Sequence, residues 1–173
     1  MGWDKAGLLI DGEPLWRRQL GTLSATQPSE LFISGRSDGP YAASGVEIVR
    51  DATPGLGPLA GIAAALRRAT SPLLLVLAID MPAIDSGFLV RLLKQSRPSG
   101  TGAVPWINEH FEPLAAVYPR AVLPLLEECL ASGDRSMQHF ARRACEADLL
   151  KALPIAAAHL STFRNLNRPE DLQ

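Results

Sequence analysis

An uninterrupted apolar run at residues 72–79 constrains the fold of this chain more than any other feature. Because the run does not alternate with polar residues, it predicts a strand buried on both faces of a parallel sheet. Asp80-Met-Pro82 follows directly, and ligands of open α/β sheets bind beyond the carboxyl ends of the strands. The pattern therefore predicts that Asp80 holds a metal ion over the sheet. The alternative is that Asp80 only caps the next helix, although Asp85 and Ser86 are better placed for that role.

Helical and strand patterns alternate along the rest of the chain. Strands are predicted at 30–34, 46–50, 73–79, 101–105 and 114–118, with short segments near 149–153 and 159–161, and helices at 13–23, 59–69, 86–95, 121–131 and 136–143. Such alternation is typical of βαβ units, so we expect a Rossmann-like three-layer α/β/α sandwich with a mainly parallel sheet. A length of 173 residues suits one compact domain over residues 1–173.

Charge and composition exclude several classes of function. The net charge of -1 and the pI near 6.3 leave no basic footprint for nucleic acid. The apolar run is too short to span a bilayer, which needs roughly 20 residues. The first residues lack the layout of a signal peptide, so we expect a cytoplasmic protein with no membrane partner. Cys129 and Cys145 have no CxxC spacing and are expected to be reduced.

Three polar features should gather at the carboxyl edge of the sheet. They are Asp80, the glycine-rich loop at 51–61, and Asp4-Lys5 near the start of the chain. Mg²⁺ typically binds through one or two carboxylates plus substrate phosphates. A lysine offsets phosphate charge, and glycines let the backbone approach a ligand closely. The combination favours a nucleoside triphosphate with Mg²⁺, whereas each feature alone would fit an ordinary surface loop.

Six motifs, taken in order, carry a family resemblance. They are Met1-Gly-Trp-Asp-Lys-Ala6, Asp51 with Gly57-Pro-Leu-Ala-Gly-Ile62, Asp80-Met-Pro82, Glu112-Pro-Leu-Ala-Ala-Val-Tyr118, Gly133-Asp-Arg-Ser136 and Asn165-Leu-Asn-Arg-Pro-Glu-Asp171. In this combination the chain resembles the molybdenum cofactor guanylyltransferases, the MobA-like group of nucleotidyltransferases. The resemblance runs from residue 1 to the C-terminus, and it implies a fold like that of the nucleotide-diphospho-sugar transferases.

The resemblance also implies roles for individual residues. Lys5 matches the lysine that contacts the GTP phosphates, and Asp80 matches the magnesium ligand, so these two are the expected catalytic residues. The implied nucleotide-binding residues are Lys5, Arg36, Asp51, Gly57, Gly61 and Asp80, and the implied substrate-binding residues are Asn165 and Asn167. Arg36 stands about where many members carry an asparagine near the base, which makes base recognition less certain.

Asn165 and Asn167 are separated by one residue. In an extended segment both amides therefore face the same side, and Leu166 points the other way, into the core. The resemblance associates this pair with the pterin-side substrate. The alternative is that both amides only satisfy loop backbone.

The activity implied by the resemblance is transfer of GMP from GTP to the terminal phosphate of molybdenum-molybdopterin. The products are the guanine dinucleotide form of the cofactor and pyrophosphate, and Mg²⁺ is the expected cofactor. Transient contact with proteins of cofactor synthesis or with acceptor molybdoenzymes is also implied. The alternatives are cytidylyl transfer to the same cofactor, another MobA-like nucleotidyl transfer, and a non-catalytic truncated binding module.

The front of the chain departs from the family pattern. Members begin with a strand and a Leu-Ala-Gly-Gly-x-Ser-x-Arg loop, which precede the Met-Gly-x-Asp-Lys-Ala segment that stands here at residue 1. The expectation is an N-terminally incomplete domain, by assignment of an internal start or by truncation. The strands ending at Ser34 and Ile79 should then lack a shared central neighbour.

Overall fold

The computed structural model describes residues 5–50, 55–96, 99–163 and 166. The α-helices of this part are α1 (Leu15–Ser24), α2 (Pro58–Arg68), α3 (Ser86–Ser96), α4 (Leu123–Ser132) and α5 (Met137–Glu146). The strands are β1 (Leu9–Ile10), β2 (Glu13–Pro14), β3 (Phe32–Ser34), β4 (Glu47–Val49), β5 (Leu73–Leu77), β6 (Gly102–Ile107), β7 (His110–Phe111), β8 (Ala115–Pro119) and β9 (Leu150–Pro154). Short 3₁₀ turns lie at Lys5–Gly7, Arg120–Val122 and Ala157–Phe163.

A five-stranded sheet forms the body of the molecule, with strands in the order β5-β8-β6-β7 and β9 paired with β6. β9 runs parallel to β6, whereas β8 runs antiparallel to both β5 and β6. The α/β class is confirmed, and the pairing among the described strands is more mixed than expected. The reason lies in the connection from β6 through β7 to β8, because a parallel return would need a crossover of a dozen or more residues.

Side chains on the two faces of β8 divide the core into two layers. Ala116 and Tyr118 pack with residues of α2, α4 and α5, whereas Ala115 and Val117 pack with residues of α3. This alternation is the two-residue period of a strand. All five residues of β8 are buried, so β8 is the interior strand around which the sandwich is built.

The apolar strand β5 differs from its prediction. Each of its five residues is only half-buried, although the sequence predicts burial on both faces. One edge of β5 pairs with β8, and a cavity of about 830 Å³ lies along the strand. β3 and β4 form a separate two-stranded parallel sheet. The half-burial of β5 therefore reflects an edge that no other described strand covers.

The other predicted elements correspond closely to those observed, with two exceptions. Glu13–Pro14, predicted as the start of α1, is strand β2, and the segment predicted near 159–161 lies in a 3₁₀ turn. α2, predicted at 59–69, spans Pro58–Arg68, with Pro58 in the first turn, where its missing N–H does no harm. α3, predicted at 86–95, spans Ser86–Ser96. Within the described part of the chain, none of the helices has both the length and the apolar character of a membrane span.

Candidate functional site

Asp80 lies three residues beyond the end of β5, in a loop that α1 holds in place. The Nε2 of Gln19, on α1, donates to the carbonyl oxygens of Ala78 (2.6 Å) and Met81 (3.1 Å). Gln19 is 4% exposed, so these bonds are shielded from water. The carboxylate is thus presented by a fixed backbone at the carboxyl end of an apolar strand, as the sequence predicts.

The helix-capping alternative for Asp80 is wrong. The cap of α3 is Asp85, whose Oδ1 accepts a hydrogen bond of 2.7 Å from the Phe88 N–H. Asp80 instead forms an ion pair with Lys5, with 3.2 Å between Nζ and Oδ2. The Lys5 and Asp80 side chains are 36% and 25% exposed, so a ligand can reach both. Two residues 75 positions apart in sequence therefore provide a cation and an anion at one point.

A second cavity, of about 530 Å³, opens beside Asp80. It is lined by the 107–114 segment that joins β6, β7 and β8, and by the first turn of α5. Asp80, His110 and Glu112 are the titratable residues among its lining. The Glu112 carboxylate and the His110 imidazole therefore line the same cavity as Asp80, the anionic member of the ion pair with Lys5.

The position of Glu112 is determined by the buried residue Tyr118. The Tyr118 hydroxyl donates to the Pro113 carbonyl oxygen (2.6 Å), and the Glu112 N–H donates to the Pro105 carbonyl oxygen (2.9 Å). Burial raises the pKa of the Glu112 carboxyl, the charge of His110 lowers it, and the charge of Asp80 raises it. The motif from Glu112 to Tyr118 thus combines a core anchor with a carboxylate in the cavity.

Three other described residues are predicted for the nucleotide site, two of them at α2 and one after β3. Gly57 immediately precedes α2 and has a φ of 77°, a backbone conformation that favours glycine. Gly61 is buried within α2 and lines the 830 Å³ cavity. Arg36 follows β3 and lies 3.5 Å from Asp38, and both side chains are largely exposed. No described contact joins Arg36, Gly57 or Gly61 to Asp80, so their binding roles stay predictions.

The Gly133–Ser136 motif turns the chain between α4 and α5. Gly133 ends α4 in the left-handed conformation, with a φ of 80°. Ser136 caps α5, and its Oγ accepts a hydrogen bond of 3.2 Å from the His139 N–H. Arg135 reaches the loop before α2 and donates to the Gly55 carbonyl oxygen (3.3 Å). The motif therefore has a structural role, in ending one helix and capping the next, that the sequence alone did not predict.

Asp51, Asn165 and Asn167 lie outside the described residues, so their predicted roles are untested. Leu166, between the two asparagines, is 7% exposed, as the predicted alternation requires. Its N–H donates to the Asp80 carbonyl oxygen (2.8 Å). Leu166 therefore reaches the loop that carries the candidate metal ligand.

Two residues of the site have no role in the sequence-based prediction. Gln19 lies among apolar residues of α1, and this polar break in an apolar face was an available signal. Glu112 stands out in the sequence only as part of a motif, and its proximity to Asp80 depends on the pairing of β8 with β5. Such a contact is tertiary, so local sequence patterns cannot reveal it.

The residues present fit a magnesium ion held largely by substrate phosphates. No cluster of three or more His, Cys, Asp or Glu side chains suited to a metal occurs among the described residues. Mg²⁺ needs only one or two carboxylates when phosphates and water supply the other ligands. Asp80 provides an exposed carboxylate of this kind.

Comparison with known proteins gives the chain a family. The MobA-like NTP transferase domain matches residues 1–149. A probable molybdenum cofactor guanylyltransferase of Opitutus terrae is 37% identical over 174 residues, which are 99% of this chain and 86% of the relative. A protein of the same name from Deinococcus radiodurans is 34% identical over 99% of this chain and 84% of its own length.

Solved structures agree with these matches. Molybdopterin-guanine dinucleotide biosynthesis protein A of Archaeoglobus fulgidus has a TM-score of 0.80 and 27% identity, covering 99% of this chain and 88% of that one. A 2-C-methyl-D-erythritol 4-phosphate cytidylyltransferase of Thermus thermophilus has a TM-score of 0.74 over 97% of this chain and 90% of that one. Its 18% identity supports the fold alone. The chain belongs to the MobA-like NTP transferase family.

Proposed function

We propose that this protein transfers GMP from GTP to the terminal phosphate of molybdenum-molybdopterin. The observation that carries the proposal is the Lys5–Asp80 pair of 3.2 Å at the carboxyl end of β5. Relatives at 37% and 34% identity carry the name molybdenum cofactor guanylyltransferase. The chain covers most of the length of each, which supports a shared reaction.

In the proposed reaction, an oxygen of the acceptor phosphate forms a bond to the α-phosphorus of GTP. The bond between the α-phosphorus and the bridging oxygen breaks, and pyrophosphate leaves with the electron pair. The reactants carry many negative charges, so positioning and charge neutralisation are the main tasks of the protein. Lys5 is suited to opposing charge on the triphosphate, because its side chain is 36% exposed beside Asp80.

Asp80 is the residue that would hold a magnesium ion together with the phosphates. When bound, such an ion supplies charge neutralisation at the phosphate oxygens. The chain's own contribution is a loop fixed by Gln19 and Leu166, which keeps the Asp80 carboxylate in position as substrates enter and leave. Preorganised charge of this kind needs no rearrangement when the reaction occurs.

The acceptor would lie in the 530 Å³ cavity beside Asp80. A volume of this size is in the range of small-molecule sites, about 300–1,000 Å³. His110 and Glu112 line the cavity, together with apolar residues such as Met137. We propose that this side receives the pterin and that Asn165 and Asn167 contribute there. The bond between Leu166 and Asp80 supports this part of the proposal.

We also propose a cytoplasmic location and transient contact with proteins of cofactor synthesis or with acceptor molybdoenzymes. The product of the proposed reaction is a cofactor, so it has to pass to the enzyme that uses it.

The test is pyrophosphate release with molybdenum-molybdopterin, magnesium and GTP, CTP or ATP in separate reactions. GTP should support the fastest release. Asp80→Asn should lower it at least about a hundredfold, because charge stabilisation at the reacting phosphate is lost. Asp148→Asn, on an exposed carboxylate between α5 and β9, is the matched control and should leave the rate unchanged.

Faster release with CTP would move the assignment to cytidylyl transfer. Binding of GTP without any release would favour the non-catalytic module. Near-normal release by Asp80→Asn would remove Asp80 from the site.

A further inference from the structure

Glu112 stands on a backbone segment whose polar groups have partners inside the protein. The Phe111 N–H donates to the Gln138 Oε1 (2.9 Å), and the Phe111 carbonyl oxygen accepts from the Gln138 Nε2 (2.8 Å). The Glu112 N–H donates to the Pro105 carbonyl oxygen (2.9 Å), and the Glu112 carbonyl oxygen accepts from the Ala115 N–H (3.2 Å). These hydrogen bonds fix the backbone at Phe111 and Glu112.

The residues on either side anchor this segment in the core. Pro113 has no N–H, and its carbonyl oxygen accepts a hydrogen bond of 2.6 Å from the hydroxyl of the fully buried Tyr118. Phe111 is 6% exposed, and the centre of its ring lies 4.4 Å from that of Trp106. Because side chains alternate along an extended segment, a core position for Phe111 directs Glu112 the other way. Glu112 accordingly lines the cavity of about 530 Å³.

The Glu112 carboxylate, unlike the backbone that carries it, accepts no hydrogen bond from any described residue. The residue is half-buried, so part of its hydration is already lost. A carboxylate has two acceptor oxygens and no donor, and its hydrogen bonds are stronger than those between neutral groups. The protein thus holds a fixed pair of acceptor oxygens at the cavity and leaves them to a ligand.

The charges around the cavity restrict the ligand groups that suit Glu112. Lys5 forms an ion pair with Asp80, whereas no ion pair joins Glu112 to a described residue. A phosphate is therefore attracted by Lys5 and repelled by Glu112. Asp80, His110 and Glu112 do not form a metal site of three ligands, since no such group occurs in the described part of the chain. Neutral N–H donors remain, and two of them side by side match the two oxygens of a carboxylate.

The other residues of the cavity suit the flat body of a heterocycle. The lining includes Ile107, Phe111, Leu114 and Met137. Sites for small molecules typically combine such an apolar lining with a few polar groups that fix the orientation of the ligand. A planar ring with an N–H and an amino group on one edge would contact this lining and pair with Glu112. The pyrimidine edge of a pterin is of this kind.

We infer that Glu112 determines the specificity for the acceptor by accepting two parallel hydrogen bonds from its pterin, one from the ring N–H and one from the adjacent amino group. The inference rests on the proposed function, which takes the acceptor to be molybdenum-molybdopterin. The phosphate of that acceptor is drawn to Lys5 and its pterin edge to Glu112, so these two side chains together set its orientation. An analogue with an oxo group in place of the amino group brings oxygen against oxygen and is rejected.

The test is a titration of the full 173-residue chain with two phosphates that differ in one group. Hydroxymethylpterin phosphate carries the amino group, and hydroxymethyllumazine phosphate carries an oxo group in its place. The parent chain should bind the pterin at least about tenfold more tightly, because a hydrogen bond to a charged acceptor is lost with the lumazine. Glu112→Gln should reverse the preference, because a glutamine amide accepts from the ring N–H and donates to the oxo group.

Two further variants are the controls. Glu112→Asp keeps the carboxylate and should keep the preference for the pterin, with weaker binding because the side chain is shorter. Glu109→Gln changes an exposed carboxylate outside the cavity lining, and it should leave both affinities unchanged. The Tm of each variant shows that the fold is intact. A purely structural role for Glu112 would weaken the binding of both phosphates alike and would not reverse their order.

A preference for the pterin that persists in Glu112→Gln would overturn this inference and leave the proposed transferase activity standing. So would a loss of GTP affinity in this variant without a change in acceptor affinity, since guanine carries the same pair of donors on one edge. An effect of Glu112→Gln that occurs only with Mg²⁺ would make Glu112 a metal ligand, which also contradicts the inference. If the parent chain bound neither phosphate, the inference and the proposed acceptor would both be wrong.

Discussion

Glu112 is the residue whose charge state depends most on the fold of the site. Its carboxyl lines the cavity beside Asp80, and burial raises its pKa above the ordinary value of 4.5. The folded protein therefore binds this proton more readily than the unfolded chain does. The free energy of unfolding must then fall as the pH rises from 4.5 through the raised pKa. Above that pKa, the full cost of burying the charged carboxylate is present.

Glu112→Gln should remove the cost of burying this charge, because the amide has a similar shape and no charge. We expect the variant to have a higher Tm than the parent at neutral pH and the same Tm well below pH 4.5. Thermal melting followed by circular dichroism at several pH values measures the difference. Glu109→Gln, on an exposed carboxylate of the same segment, is the control. If the Tm difference between the Glu112→Gln variant and the parent were constant across this pH range, the result would contradict a cost that comes from the charge of Glu112.

The helix α5 connects the capping motif to the candidate acceptor cavity. Gln138, in its first turn, pairs with the backbone of Phe111 through both its amide oxygen (2.9 Å) and its amide nitrogen (2.8 Å). Ser136→Ala should destabilise the protein by about 1 kcal/mol, because the His139 N–H loses its acceptor. It should also loosen the Gln138 contact and so weaken acceptor binding more than GTP binding.

Urea unfolding and separate titrations with the two substrates measure these effects. Ser37→Ala, at an exposed turn, is the control. An unchanged free energy of unfolding in the Ser136→Ala variant would show that the cap contributes nothing measurable to the stability of the protein. An equal loss of affinity for GTP and for the acceptor would show that α5 has no specific role in acceptor binding.

Most helices and strands could be predicted because their signals are local. The run at 72–79 marked β5, and its polar terminus marked Asp80. The pairing of β5 with β8 and the contact of Gln19 with the Asp80 loop could not be predicted, because they join residues far apart in sequence. Burial of β5 was overpredicted for the same reason, since burial depends on neighbouring strands as well as on the strand's own composition.

At the scale of the whole molecule, the β3–β4 sheet and the five-stranded sheet should differ in stability. Among the described strands, β3 and β4 pair only with each other, and they consist of half-buried and exposed residues apart from Val49. β8 is fully buried at the centre of the larger sheet. Segments with few buried contacts open with a smaller free energy than the global unfolding free energy. The part of the chain from β3 to β4 should therefore open first.

Native-state hydrogen exchange in low concentrations of urea can measure this order. The Gly35 N–H, which donates to the Val49 carbonyl (3.2 Å), should exchange through an opening that is independent of urea or only weakly dependent on it. The Ala116 N–H, at a hydrogen-bonded position of β8 opposite Val76, should exchange only through global unfolding, with the full urea dependence. Equal exchange free energies at Gly35 and Ala116 would mean that the two sheets unfold as one unit. That outcome would contradict the expected difference in stability, because α2 and α1 would then couple the two parts as strongly as a shared strand does.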